Sequence, residues 1–243
     1  MKKKLLLVLF LLVTIAIDVY VVPILWTTNK QDYKVDDSII AKIENEEDTT
    51  EEETNVIEDL RTEYNNNDIV GVLTIDNADY STVVTQTNDN SYYLNHSVTK
   101  EKDRLGTPFL DYRIDINNTR KLLIFAHNSK YRSMPFEILE NYYDKSYYDE
   151  HKYLTLTTEE KTNTYEIFSV YVEVEDFDYY DLNFSSNKAW LKHLTKLKNN
   201  SMYDTGVEIN ENDNIIILQT CSTLSKYSSY KHKFLVVIGK LVS

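Results

Sequence analysis

Cys221 is the only cysteine in the 243 residues, and its position suits a reactive group. It follows the apolar run 215–218 and the polar pair at 219–220, a pattern that predicts a buried β-strand ending just before the cysteine. A strand end beside solvent can hold a nucleophilic thiolate rigidly. Free cysteine is also one of the most buried residue types, so a structural, inert thiol is the alternative interpretation.

His127 has a similar position in the sequence. It follows the buried run 121–126 and precedes Asn128. An imidazole beside a thiol favours the thiolate and can later protonate a leaving amine. A structural or exposed position explains each of the other four histidines, which are His96, His151, His193 and His232. Cys221 and His127 are therefore the candidate catalytic pair, provided that the fold brings the two strand ends together.

The composition argues against several other kinds of site. One cysteine and scattered histidines do not supply the clustered ligands of a zinc site, so we expect no metal. The Gly-x-Ser-x-Gly elbow of serine hydrolases is absent from the sequence. A net charge of −13, with no basic cluster after the N-terminus, argues against nucleic acid as a partner.

The elements that must position the pair are mostly strands. Apolar and alternating runs predict strands at 68–75, 80–84, 121–126, 153–157, 164–174, 214–220 and 233–242. Helices are predicted at 134–144, with Phe136, Leu139 and Tyr143 on one face, and from the pair Ser185–Ser186, because serine is a good N-cap residue. Seven or eight strands with two or three helices predict a mainly β fold, a β-barrel with helical insertions.

The N-terminal segment predicts attachment to a membrane. Three lysines precede an apolar run, and the apolar character resumes after Asp18 and continues to Trp26. The whole stretch reaches the roughly 20 residues that a membrane helix needs, and lysines remain on the cytoplasmic side. We favour an uncleaved signal-anchor at 1–26 with the remainder outside the cell over a cleaved signal peptide, because no clear small-x-small cleavage site follows.

Residues 27–65 are polar and strongly acidic, with the acidic block at 44–53. Like charges repel one another and resist collapse, so this segment is predicted to be a solvated tether. The apolar residues near 39–43 and 56–60 have helical spacing, and each group could form a short helix docked on the domain. The globular domain is expected to span 66–243.

Five segments, in this order along about residues 60–243, resemble class B sortases, the membrane-anchored cysteine transpeptidases of Gram-positive bacteria. They are Val83–Leu94, Gly106–Arg113 (GTPFLDYR), Phe125–Asn128 (FAHN), Leu218–Cys221 (LQTC) and Val236–Leu241 (VVIGKL). The cysteine motif alone is short and weakly specific, whereas five ordered matches are strong. The resemblance implies an eight-stranded barrel with an additional helix at 185–198.

The resemblance also implies an activity that needs no cofactor. Cys221 would attack the carbonyl after the threonine of a sorting signal, of the Asn-Pro-x-Thr-Asn or Pro-x-Thr-Gly kind, and form a thioester. His127 would protonate the leaving amine, and an amine of a peptidoglycan precursor would take the acyl group. Thr220 and Asn128, within the two motifs, are assigned to substrate binding. The implied partners are surface proteins that carry sorting signals.

The chain departs from the family pattern at the last strand. The family has an arginine there that hydrogen-bonds the substrate or the oxyanion, and the matching residue is Phe234. Lys233 is the candidate substitute, but neighbouring residues of a strand point to opposite faces, so a bulge would have to re-aim it. Ile217, for the first threonine of the cysteine motif, and Ala126, for the glycine before the histidine, are milder changes. A slow or differently assisted enzyme is expected.

Two other functions stay open at this point. A non-catalytic sortase-fold module that binds peptides is favoured by the missing arginine. A cysteine peptidase that releases its product to water would use the same Cys221 and His127. A thioester trapped on Cys221 would exclude the non-catalytic binding module. Comparing hydrolysis with and without an added amine acceptor would distinguish a peptidase from a transpeptidase.

Overall fold

The computed structural model describes Tyr33, Ile39, Ala41 and residues 55–243. The strands are β1 (Ile69–Ile75), β2 (Ser81–Thr85), β3 (Phe109–Leu110), β4 (Lys121–Phe125), β5 (Tyr153–Thr157), β6 (Thr162–Glu173), β7 (Ile215–Cys221) and β8 (Phe234–Leu241). They form a closed barrel in the order β1-β2-β3-β4-β7-β8-β6-β5. The predicted mainly β, eight-stranded barrel is confirmed.

The short strand β3 is the one that the sequence pattern missed. Two residues are too few for a periodic signal. Phe109 pairs with Thr85 of β2 in parallel and with Phe125 of β4 in antiparallel orientation. These pairs join the first hairpin to the strand that leads to His127.

Strands β4 and β7 lie side by side in parallel and form the part of the barrel that bears on function. Their register runs from Lys121 opposite Ile215 to Phe125 opposite Gln219. Leu123 and Ile217, at the middle of the two strands, are fully buried. Because neighbouring parallel strands end at the same edge, the residues after β4 and the end of β7 meet at one rim of the barrel.

A helix that precedes β1 packs on the barrel near a predicted position. Helix α1 (Val56–Glu63) starts at the N-cap Asn55, whose side chain accepts a hydrogen bond from the Ile57 N–H. Its buried residues join Ile39 and residues of β1 and β2 in a second apolar cluster. Part of the segment assigned to the tether is thus folded onto the barrel.

The helix predicted at 134–144 takes a different form. Residues Glu137–Tyr143 are a 3-10 helix, and helix α2 (Lys145–Glu150) follows after the cap residue Asp144. The buried residues are Phe136, Leu139 and Tyr142, whereas Tyr143 is only half-buried. This i, i+3, i+6 spacing matches three residues per turn, which explains why the predicted α-helical face was wrong.

Helix α3 (Asn187–Asn199) lies between β6 and β7 and is capped by Ser186, whose hydroxyl accepts a hydrogen bond from the Ala189 N–H. Its residues Trp190, Leu194 and Leu197 are buried in the core. The predicted signal-anchor at 1–26 and most of the predicted tether lie outside the described residues. Within the described part of the chain, no helix has the length and apolar character required to cross a bilayer.

Candidate active site

One cavity brings the two candidate catalytic residues together. Cys221 is the last residue of β7 and is exposed, and His127 follows the end of β4 by two residues. Both line a cavity of about 230 Å³ at the rim where the two strands end. The other lining residues are Asn90, Leu94, Phe109, Phe125, Ala126, Tyr180, Gln219 and Phe234.

Two hydrogen bonds join the segment of the histidine to the segment of the cysteine. The Thr220 hydroxyl donates to the main-chain oxygen of Ala126 at 2.7 Å. The Asn128 side-chain amide donates to the main-chain oxygen of Cys221 at 3.0 Å. Thr220 is fully buried and Asn128 nearly so. Both side chains therefore join the two strand ends, and the substrate contact expected of them from the sequence stays a prediction.

The residues after Cys221 are held by the 3-10 helix Glu137–Tyr143. The Glu140 carboxylate accepts hydrogen bonds from the Thr223 N–H at 2.8 Å and from the Thr223 hydroxyl at 2.6 Å. The hydroxyls of Tyr143 and Ser222 are 2.7 Å apart. We call Glu140 and Tyr143 the loop clamp, because they fix the start of the connection from β7 to β8.

Electrostatics favour a neutral thiol at rest. Although Cys221 is exposed at the cavity, the surrounding residues partly desolvate its thiol and raise its pKa, and the positive charge of Lys233 opposes this with a smaller lowering. Nε2 of His127 lies 2.7 Å from the main-chain oxygen of Leu94. A carbonyl oxygen only accepts, so this nitrogen carries a proton, and Nδ1 is the nitrogen that can exchange one with the thiol or the substrate.

The place of the family arginine is an apolar wall. Phe234 lies directly opposite Cys221 in the β7–β8 ladder, and directly opposed residues share a face of the sheet. The Phe234 ring is 5.9 Å from Phe177 and 6.3 Å from His232 between ring centroids.

Lys233 does not take over this place. The β7–β8 register is continuous up to the pair of Cys221 and Phe234, so the bulge required to re-aim Lys233 is not formed there. Lys233 precedes the first residue of β8 and does not line the cavity. The charge of Lys233 is close enough to the thiol to influence its pKa. Because Lys233 is not a lining residue of the cavity, it does not take the position from which the family arginine would hydrogen-bond the substrate.

Two cavity residues were missed by the sequence reasoning. The Tyr180 hydroxyl donates to Oε1 of Gln219 at 3.1 Å, and the Tyr180 ring stacks on Phe125 with centroids 5.6 Å apart. Arg113, paired with the buried Asp111, donates to the main-chain oxygen of Tyr180 at 3.3 Å.

The period-2 pattern of β7 places Gln219 on the same face as Cys221 and could have identified Gln219 as a cavity residue. Tyr180 lies in a connection and carries no such signal.

Comparisons with known proteins agree with this geometry. A family model described as the sortase domain matches residues 73–242. Sortase B of Listeria monocytogenes is 37% identical over 185 residues, which cover 73% of this chain and 71% of that protein.

Solved structures show the same fold. A mutant form of Clostridium perfringens sortase B superposes with a TM-score of 0.69 at 27% identity, over 77% of this chain and 87% of that one. A Staphylococcus aureus sortase B–substrate complex superposes with a TM-score of 0.69 at 26% identity, over 77% of this chain and 85% of that one. The domain match, the identity to a curated relative and the shared barrel together show that this chain belongs to the sortase family of cysteine transpeptidases and is similar to its class B.

Proposed function

We propose that Cys221 is the nucleophile and His127 the general acid–base of this transpeptidase, which joins sorting-signal proteins to a cell-wall amine. The observation that carries the proposal is the convergence of the two side chains on one cavity from the ends of two neighbouring parallel strands. Thr220, Asn128 and the loop clamp act as positioning residues that hold those ends.

The first half of the reaction forms a thioester. Because the pKa of the thiol is raised, the proton of Cys221 leaves for His127 Nδ1 as the sulfur attacks the carbonyl carbon after the substrate threonine. A C–S bond forms and the carbonyl electron pair moves to the oxygen. Collapse of this oxyanion breaks the C–N bond, and His127 returns the proton to the leaving amine.

The second half transfers the acyl group. An amine attacks the thioester carbonyl, a C–N bond forms and the C–S bond breaks. His127 takes a proton from the attacking amine and returns it to the sulfur, which leaves as a thiolate. Among the similar sortase B structures, one is a substrate complex and another is a complex with triglycine. For this chain we propose a sorting-signal peptide as the donor and an amine of a peptidoglycan precursor as the acceptor.

The N-terminal residues support a location at the cell membrane. Lysines followed by an apolar stretch over 1–26 would anchor the chain once, with its N-terminus inside. The acidic part of the 27–65 segment would link this anchor to the catalytic domain as a solvated tether. Fractionation of full-length protein and of a variant starting at residue 27 tests this: the first should sediment with membranes and the second should not.

A peptide-cleavage assay with product analysis tests the function. With wild-type protein, peptides carrying the two kinds of sorting motif should be cleaved after threonine, and triglycine should appear in an amide product. Acid product alone, even with triglycine present, would indicate a peptidase. Tight binding without cleavage would indicate the binding module that Phe234 favours. Cys221→Ala should abolish cleavage and His127→Ala nearly so, whereas His151→Ala, outside the cavity, should retain it.

A further inference from the structure

We propose that the side-chain amide of Gln219 is a catalytic hydrogen-bond donor to the carbonyl oxygen of the scissile bond. It would supply, without a charge, the stabilisation for which other family members have an arginine. This inference rests on the proposed function, because it takes Cys221 as the nucleophile. Four observations carry it: the absence of the usual cation, the engagement of nearby main-chain donors, the face occupied by Gln219, and the orientation of its amide.

The first observation is a missing donor. Attack by sulfur places negative charge on the carbonyl oxygen, and a fixed donor at that point lowers the barrier. Phe234, opposite Cys221, has no hydrogen-bonding group to offer. Lys233, the residue before Phe234, does not line the cavity.

The second observation concerns the main chain after the nucleophile, where an oxyanion hole often lies. The Ser222 N–H donates to the Lys233 oxygen at 3.0 Å. The Thr223 N–H donates to Glu140 at 2.8 Å. The Leu224 N–H donates to the Ser222 hydroxyl at 3.3 Å. All three donors are therefore engaged within the protein, which favours a side chain as the donor to the oxyanion.

The third observation is the position of Gln219. It lies two residues before Cys221 on β7, so both side chains project from the same face with Cα atoms about 6.7 Å apart. Both residues line the cavity. Gln219 is 6% exposed, so its amide group meets a substrate largely away from bulk water.

The fourth observation is the orientation of the amide. Oε1 accepts the Tyr180 hydroxyl at 3.1 Å, which assigns the acceptor side of the group to Tyr180 and leaves the NH₂ side to point elsewhere. Among the hydrogen bonds of residues 55–243, none is donated by this NH₂ group. The nitrogen is not among the buried unpaired polar atoms of the described residues, so it faces the open cavity, where a substrate carbonyl can accept its hydrogen bond.

Tyr180 is itself held firmly. Its main-chain oxygen accepts from Arg113, and its ring stacks on Phe125. The Gln219 amide is therefore oriented before the substrate arrives, the condition under which a donor is most effective. Asn90, which also lines the cavity, already uses its side-chain oxygen to hold the Tyr112 N–H and lies on a loop rather than on the strand of the nucleophile.

The test compares substitutions at Gln219 in the peptide-cleavage assay. Gln219→Met keeps the length but removes the donor, and we expect kcat to fall about 100-fold with little change in KM. Gln219→Glu keeps an acceptor for Tyr180 but puts a carboxylate near the oxyanion, so kcat should fall at least as far. Tyr180→Phe leaves the amide in place without its orienting partner and should cause a smaller loss. Adding Phe234→Arg to Gln219→Met should restore part of the rate.

The outcomes separate this inference from the proposed function. If Gln219→Met forms the Cys221 thioester as fast as wild type, the inference is wrong and the function stands. If the wild-type protein forms no thioester, the proposed function itself is wrong. A loss of rate in Gln219→Met that is matched by a loss of folded protein, with full activity retained by a folded Gln219→Glu variant, would also overturn the inference.

Discussion

Asn128 donates a hydrogen bond from its side-chain amide to the main-chain oxygen of Cys221, 3.0 Å away and 93 positions along the chain. Thr220 makes the reciprocal contact with Ala126, next to His127. The neighbour of each candidate catalytic residue thus binds the segment that carries the other. The alignment of thiol and imidazole therefore depends on two hydrogen bonds between the residues after β4 and the end of β7, as well as on the strand ladder.

Thr220→Val should test this tie. Valine has nearly the same shape but leaves the Ala126 oxygen without its hydroxyl donor, so the free energy of unfolding should fall by about 1–3 kcal/mol. The rate of peptide cleavage should fall too, because the two strand ends lose their alignment. Chemical denaturation and steady-state kinetics measure the two effects. Thr220→Ser, which keeps the hydroxyl, is the control; equal behaviour of both variants would show that the hydrogen bond is unimportant.

Glu140→Ala should loosen the loop clamp. The Thr223 N–H and hydroxyl lose their shared acceptor, so the connection after Cys221 becomes less ordered and kcat should drop by about tenfold, or ~1.4 kcal/mol in the barrier. Glu140→Gln keeps an amide oxygen that can accept one of the two hydrogen bonds. Its kcat should therefore lie between those of Glu140→Ala and wild type. Glu137→Ala, on the exposed side of the same 3-10 helix, serves as the control. An unchanged kcat in Glu140→Ala would contradict the positioning role.

The reaction of Cys221 with iodoacetamide should report its raised pKa. A raised pKa means less thiolate at neutral pH, so the rate should keep increasing above pH 9.0, the ordinary value for this thiol. Lys233→Ala removes a cation that lowers this pKa, so it should move the midpoint further upward. Lys226→Ala, in the same connection, is the control. A midpoint near neutral pH would contradict the neutral resting thiol.

The buried pair of Lys121 and His193 predicts sensitivity to acid. Burial, aided by the Lys121 charge 2.9 Å away, lowers the pKa of His193 to about 3 from 6.5. The unfolded chain therefore binds more protons between these values, and the free energy of unfolding should decrease as pH falls through this window. Urea denaturation at pH 7 and pH 4.5 should show a smaller decrease for His193→Gln. His232→Gln, at an exposed position, should lose as much unfolding free energy between pH 7 and pH 4.5 as wild type does. An equal loss in His193→Gln and His232→Gln would contradict the role of His193 in acid sensitivity.

The sequence predicts the barrel and the catalytic pair because both depend on local patterns. Apolar runs mark β4 and β7, and Cys221 and His127 are the polar residues at which those runs end. The sequence cannot show that the two runs are parallel neighbours, which requires the register of Lys121 opposite Ile215. The five ordered motifs supplied that information through resemblance.

The contacts that complete the site lie beyond local patterns. Glu140 reaches Thr223 across 83 residues, and Tyr180 reaches Gln219 across 39. Both Glu140 and Tyr180 come from 3-10 turns in connections, where periodicity carries little information about side-chain direction. Thr220 was assigned to the substrate because of its motif, whereas burial in the β4–β7 contact gives it a positioning role.

Detection of a thioester on Cys221 tests the central claim most directly. Wild-type protein is mixed with a sorting-signal peptide in the absence of an amine acceptor and analysed by intact-protein mass spectrometry, with fragmentation to locate the adduct. The account predicts that Cys221 gains the mass of the peptidyl acyl group that ends at the threonine carbonyl and loses the mass of the thiol hydrogen. Triglycine should discharge this adduct into an amide product. Cleavage without any adduct, or cleavage by Cys221→Ala at the wild-type rate, would contradict the account.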